Sequence, residues 1–337
     1  MSLSENVHIL HQVPRFPLAL TPTPLHPLRR LSGHLNGPAV WIKRDDQTGL
    51  ATGGNKARKL EFLIAEALDQ GADTVITAGA VQSNHCRQTA AAANLAGLGC
   101  ELVLSGSEPE EPNGNLLLDC FLGARLHFTT RQLRNSAMQK VAEQLRQDGK
   151  RPYIIPIGGS TGLGALGYTL AMAELMEQMQ QQKIFFDRIV VASSSGGTQA
   201  GMALGARLFG FQGQVLGISI DNEKLDGRPF QQELRNIANE AAERIGVRST
   251  FSIEDFSLQY DYLGEGYGVV GSLEREAIRT AAQQEGVILD PVYSGRAFGA
   301  MLDLIRKHEL DQSETILFWH TGGSAALFAY NRELLLT

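Results

Sequence analysis

"TVITAGAVQSNHCRQTAAAANLAGLGCELVLSG", residues 74–106, holds the pattern that decides the fold. TVITAGA (74–80) is a short apolar run with the length of a buried strand. NHCRQTAAAANLAGLG follows with helical character and ends on glycine, a common helix stop. ELVLSG (101–106) is again strand-like. Strand, helix and strand in 33 residues is the repeating unit of a parallel sheet covered by helices.

Working outward, the rhythm continues in both directions. AVWIKRDD (39–46) reads as a strand, and LEFLIAEALDQG (60–71) places apolar residues at 60, 63, 64, 67 and 68, the spacing of one helix face. Downstream come a helix at 115–123, the strand RLHFTT, a helix at 132–148 and the strand PYIIPIGG (152–159). A second run follows: a helix at 164–182, the strand RIVVASS, the helix TQAGMALGARLFG, the strand QVLGISI and a helix around 228–244. It closes with a helix at 272–285, the strand VILDPVY, the helix RAFGAMLDLIRK and the strand TILFWHTGG. Five of the twelve prolines crowd into 14–27, which makes that stretch an extended lead-in. The expected fold is α/β: two open parallel-sheet, three-layer domains with a ligand cleft between them.

Composition narrows the function. The 337 residues carry a formal net charge of -6 and no Lys/Arg tract, so nothing in the chain offers a phosphate backbone a basic surface. No apolar run approaches the roughly 18 residues of a membrane span. The start, MSLSENVHILHQVPRF, lacks a basic region and a long apolar core, so no signal peptide is expected. Cys86, Cys100 and Cys120 form neither a CxxC pair nor an even set. They read as buried thiols of a cytoplasmic protein, with no metal site expected.

Open α/β sheets bind ligands in the loops beyond the strand ends, and four such loops are unusual. "GGNKARKLEF" (53–62) puts Lys56 at the mouth of a helix, where a cation opposes the helix dipole. It is either a solvated first-turn lysine or an imine-forming one. "SSSGGTQAG" (193–201) offers free N–H groups and hydroxyls at a helix start, an anion cradle without a P-loop or GxGxxG spacing. The missing GxGxxG argues against a dinucleotide-dependent oxidoreductase. "GAVQSNHCRQ" (79–88) places Ser83, Asn84 and His85 at another helix start, as an N-cap or as ligand groups. "FWHTGGSAALF" (318–328) ends an apolar strand in Thr321, with His320 reading as a core histidine. "DPVYSGRA" and "GEGYGVVG" add Tyr293 and Tyr267, each beside glycine or serine, as packing residues or as active-site phenols. Together these supply an imine-forming lysine, a phosphate cradle, ring-binding groups and a strand-end threonine, the set that pyridoxal 5′-phosphate (PLP) requires.

The motifs "KRDD…GGNKARKLEFL", "TAGAVQSNH", "IPIGGST", "LDPVY" and "HTGGSAALFAY" resemble the D-cysteine desulfhydrase and 1-aminocyclopropane-1-carboxylate (ACC) deaminase family, PLP enzymes of fold type II. The resemblance runs from about residue 15 to 331. It implies a large PLP-binding domain of residues 1–61 and 165–337 and a smaller α/β domain of residues 62–164. Lys56 would carry the cofactor and move the substrate α-proton. Asn84 would bond the phenolic oxygen, and Ser195, Gly196, Gly197 and Thr198 would hold the phosphate with Lys59. Ser83, Asn84 and His85 would surround the substrate carboxylate, Ser83 also counting among the catalytic groups. Tyr293 and Tyr267 would reach the substrate from the other side.

The resemblance also bears on the reaction. ACC deaminases place a glutamate where this chain has Ser294, and a leucine where it has Thr321. With Ser294 and Thr321 as neutral partners of the pyridine nitrogen, the expectation is β-elimination of D-cysteine to pyruvate, hydrogen sulfide and ammonia. ACC deamination and loss of sulfite from cysteate are the alternatives. A small amino acid is the expected substrate, and a homodimer the expected assembly.

Overall fold

The computed structural model describes residues 3–221 and 229–335. Residue 228, the expected first residue of one helix, lies outside the described residues, as do the two residues at each end.

Among the described residues ten strands form two sheets. They are β1 (Leu25–Pro27), β2 (Ala39–Arg44), β3 (Thr74–Ala80), β4 (Gly99–Ser105), β5 (Arg125–Thr129), β6 (Pro152–Ile154), β7 (Arg188–Ser193), β8 (Gln214–Ser219), β9 (Ser257–Gln259) and β10 (Thr315–His320). The larger sheet has the order β1-β2-β10-β7-β8-β9, parallel except for the β1–β2 pair. The smaller, β5-β4-β3-β6, is wholly parallel. The inner strands are almost continuously apolar and buried, as strands covered on both faces must be.

Three segments depart from the expected elements. VILDPVY is not a strand. The Asp290 carboxylate accepts the backbone N–H groups of Val292, Tyr293 and Ser294 and curls the chain into a turn, and Pro291 has no N–H to give a ladder. PYIIPIGG is a strand only over Pro152–Ile154, before a turn of 3-10 helix at Ile157–Gly159. The expected buried thiols are one buried cysteine, Cys86, with Cys100 half-buried and Cys120 exposed on its helix; all three are free. The helix Leu3–His11 precedes the proline-rich lead-in.

Two devices bring the loops of the site together. The first is close packing of three helices, Lys56–Asp69, Gly162–Gln182 and Gly197–Phe209. A Cβ on Gly167 would lie 2.2 Å from the Arg58 carbonyl oxygen, and one on Gly201 2.1 Å from that of Ala165. Only glycine allows backbones this near. The second is a buried ionic hub. Asp45, just past β2, accepts bonds from Arg58 Nε (3.0 Å), Thr23 Oγ1 (2.8 Å), the Tyr168 hydroxyl (2.6 Å) and Trp319 Nε1 (2.9 Å). Arg58 also pairs with Glu174, which in turn pairs with Lys43. Two carboxylates thus face two cations, and the hub is balanced in charge. The hub fixes the Lys56 helix against the ends of β2 and β10.

Candidate active site

A cavity of about 1300 Å³ opens where strands of both sheets end. Lys56 stands at its floor as the first residue of its helix. The two glycines before it are required by space. A Cβ on Gly53 would lie 2.0 Å from the Asp46 carbonyl oxygen; one on Gly54 would lie 2.6 Å from Gln88 Nε2, and both residues have positive φ (72° and 129°). The loop is pinned from two sides: the Asn55 N–H donates to the Thr321 carbonyl (3.0 Å), and Asn55 Nδ2 to Thr198 Oγ1 (3.0 Å). Burial disfavours the ammonium form of Lys56 and brings its pKa down from 10.5 to about 8. That lysine is a competent nucleophile and base near neutral pH.

On one side of Lys56 lies the 195–198 turn. Ser160 Oγ is its organising atom: it accepts from Lys59 Nζ (2.9 Å) and from the Gly197 N–H (3.1 Å), and donates to Ser195 Oγ (2.8 Å). A Cβ on Gly197 would stand 2.8 Å from Lys59 Nζ and 2.9 Å from Ser160 Cα, so any side chain there fills the hollow. Burial, then the Lys56 charge, hold the Lys59 amine well below its ordinary pKa. A bound anion would reverse that.

On the other side Ser83 caps the helix Asn84–Ala96, its Oγ accepting from the Cys86 N–H at 3.2 Å. Its hydroxyl proton remains for a ligand. Asn84 Oδ1 accepts from Arg87 Nη1 (3.0 Å) and Asn115 Nδ2 (2.8 Å), which leaves its amide nitrogen as the group presented to the cavity. His85 lines the cavity as well. The Thr77 hydroxyl donates to the Ile155 carbonyl (2.8 Å), so His85 Nε2, 2.9 Å from that hydroxyl, carries the ring proton. Nδ1 has no hydrogen-bond partner among the described residues. Burial and the charges of Lys56 and Lys59 hold the imidazole neutral, its pKa well below the usual value. Ser83 and Asn84 offer a hydroxyl and an amide to the same cavity.

The remaining wall carries Tyr267 and Tyr293, rings edge-on with centroids 5.9 Å apart and hydroxyls hydrogen-bonded to each other. Burial lifts the Tyr267 phenol to about 12 and raises that of Tyr293 as well, so both keep their protons. The Arg131 guanidinium lies 5.4 Å from the centre of the Tyr267 ring and pairs with Asp221. Thr321 lines the cavity beyond Lys56. Ser294, expected beside it, does not line the cavity. Its hydroxyl donates to Asp290 Oδ1 at 2.7 Å inside the turn. His320 is a core histidine, bonded to the Ile288 carbonyl and the Gly322 N–H.

A lysine at a helix start, an anion hollow on one side and an amide nitrogen on the other match what a family comparison returns. Residues 17–322 match the model of the pyridoxal-phosphate dependent enzymes. The chain belongs to that family. Within this pyridoxal-phosphate dependent family it is 42% identical to a D-cysteine desulfhydrase of Serratia proteamaculans (strain 568) and 43% to one of Klebsiella pneumoniae (strain 342), each over 96% of this chain and 98% of the relative. A solved structure described as an ACC deaminase homologue superposes with a TM-score of 0.89 at 40% identity, covering 98% of both chains. Tomato (Solanum lycopersicum) threonine deaminase isoform 2 shares the fold at a TM-score of 0.65 and 15% identity. The residues fit the PLP these enzymes depend on. The hollow that a Gly197 Cβ would fill has the donors a phosphate needs, and Lys56 has an amine for the aldehyde.

The site brings together Lys56, Ser83, Asn84 and His85 with Ser195, Gly196 and Thr198, and faces them with Tyr267, Tyr293 and Thr321. Lys59 and Gly197 stand just behind, reaching it through Ser160. Sequence reading assigned no part to Ser160 or Asn55. The glycine pair before Ser160 and the adjacency of Asn55 to Lys56 were the available signals.

Proposed function

We propose that the protein catalyses PLP-dependent β-elimination of D-cysteine to pyruvate, hydrogen sulfide and ammonia. The observation that carries this reading is the neutral edge around Thr321. Thr321 lines the cavity, no glutamate follows Tyr293, and the Asp290 carboxylate is consumed by three backbone N–H groups and the Ser294 hydroxyl. Full-length likeness to D-cysteine desulfhydrases supports it.

Bound PLP supplies the electron sink that makes the substrate α-proton acidic and lets a β-substituent leave. Ser195, Gly197, Thr198, Ser160 and Lys59 would hold its phosphate, Asn84 its phenolic oxygen, and Thr321 its ring nitrogen. Ser83 and the free N–H groups of its helix start orient the substrate carboxylate. The Lys56 amine takes the proton from Cα. Tyr293, neutral and hydrogen-bonded to Tyr267, gives a proton to the departing sulfur, which leaves as hydrogen sulfide. A neutral edge supports carbanionic charge weakly, enough for a thiolate to leave and too little to open a cyclopropane.

The proposal extends to a cytoplasmic homodimer with domains 1–61 plus 165–337 and 62–164; all four strands of the smaller sheet fall within the latter. The deciding experiment is a panel of D- and L-cysteine, ACC and cysteate, read as pyruvate, α-ketobutyrate, sulfide and sulfite. Pyruvate and sulfide from D-cysteine, with negligible product from ACC, are expected. Ring opening of ACC as fast as D-cysteine breakdown, or sulfite release as the main activity, would overturn the reading.

A further inference from the structure

Behind the Asn84 wall sits a cation that the chemistry above does not use. Arg87 is fully buried, one helical turn after Asn84. No carboxylate among the described residues forms an ion pair with it; Asp119 and Asp290 are the acids whose charge reaches it. Its bonds go to three neutral oxygens: Asn84 Oδ1 at 3.0 Å, Asn115 Oδ1, and the Gly53 carbonyl at 2.9 Å. Its Nε has no partner, nor has either oxygen of the buried Asp119 carboxyl. A buried guanidinium held by neutral groups is costly, and a charge of this kind persists where it serves something.

The three acceptors show what it serves. Gly53 belongs to the loop that delivers Lys56. Asn84 presents its amide nitrogen to the cavity because its oxygen is occupied by Arg87 and Asn115. Asn115 is itself locked, its Nδ2 donating also to the Gln82 carbonyl at 2.9 Å. One cation therefore ties together the two segments that flank the reacting edge of a bound cofactor, and its charge stands one hydrogen bond behind the Asn84 amide.

We infer that Arg87 is a positioning residue for the phenolic edge of the cofactor, fixing the Asn84 amide nitrogen outward and favouring an anionic oxygen in front of it. This rests on the reading that Asn84 bonds that oxygen. The positive charge favours the form in which the neighbouring Lys56–cofactor linkage has lost its proton, since that form carries the greater negative charge. Other titratable groups face the same edge: His85, Tyr267 and Tyr293 from the cavity walls, with Lys59 behind Ser160 and Asp290 behind Tyr293. All are common to the variants compared.

The test is a pH titration of the visible absorbance of the holoenzyme, with cofactor affinity measured by fluorescence and folding by circular dichroism. Arg87→Gln, which removes the charge, should raise the midpoint of the titration by about one pH unit, a tenfold change in the proton equilibrium, and weaken cofactor binding. Arg87→Lys should keep the midpoint near that of the parent. Should Arg87→Gln fail to fold, Asn115→Asp cancels the charge, and also removes the Nδ2 donor that holds Asn84 Oδ1, and should raise the midpoint at least as far. Asn84→Ala separates the two readings. If it leaves midpoint and affinity unchanged, the placement of Asn84 at the phenolic oxygen is wrong. If it moves them while folded Arg87→Gln and Asn115→Asp do not, the inference about Arg87 is overturned.

Discussion

The lowered pKa of Lys56 can be measured directly through the rate at which the apo-protein takes up PLP. Only the unprotonated amine attacks the aldehyde. An ordinary lysine near 10.5 and one held at about 8 differ by some 2.5 powers of ten in proton affinity. At pH 7 the free-base fraction is thus about one in ten for Lys56 against about one in three thousand for a solvated lysine, roughly 300-fold more. The rate of linkage formation, followed by stopped-flow absorbance, should rise about tenfold per pH unit at first, bend near pH 8 and be flat above about pH 9. A peptide lysine run in parallel removes the ionisations of the cofactor itself. Equilibrium stability gives a second view. The folded apo-protein binds the lysine proton less firmly than the unfolded chain, so this group lowers stability below pH 8, and the loss is relieved as pH climbs from about 8 to 10.5. Lys56→Met should therefore be the more stable chain at pH 7, by at most about 3 kcal/mol, with the gap closing toward pH 10.5. A rate still climbing tenfold per unit at about pH 10 would show an ordinary, solvated lysine and refute the reasoning.

Three further outcomes follow from named contacts. Gly197→Ala sets a methyl group 2.8 Å from Lys59 Nζ and Ser160 Oγ; equilibrium titration should show PLP affinity down at least about tenfold, beyond what the roughly 1–3 kcal/mol of overpacking does to apo-protein melting. Unchanged affinity would make the loop a mere turn. Tyr293→Phe keeps the ring and loses the proton, so sulfide release should fall about a hundredfold or more while the visible spectrum of the bound cofactor persists. Asp45→Asn leaves Arg58 short of one carboxylate and should cost about 3–5 kcal/mol in urea unfolding. Because Arg58 and the other donors hold the Asp45 carboxyl below its usual range, that cost should be full at neutral pH and shrink as pH falls below about 4.

The alternation of strands and helices was legible because each inner strand is an apolar run and each covering helix keeps one apolar face. The loops of the site were legible for a related reason: small residues and hydroxyls at a strand end have no packing role, so their clustering before Lys56 and at 193–198 stands out. What stayed hidden depends on partners distant in sequence. β1 and β9 are three-residue edge strands with no room for a period. The 287–293 run has strand composition, and only the Asp290 carboxylate, bonding forward, bends it. Arg87 reads as an ordinary helical cation until Asn115 and Gly53 are seen to meet it.

The position of β10 has a consequence for synthesis. This strand follows every other in the chain, yet it lies between β2 and β7 in the larger sheet. While a ribosome is still making residues 315–320, β2 has no parallel neighbour and Asp45 lacks its Trp319 donor. The smaller sheet, whose strands all lie between residues 74 and 154, has no such wait. Until β10 is made, one sheet is able to close and the other stays split along its middle. Thr321 comes directly after β10, so the cavity gains its last wall only when that seam has zipped.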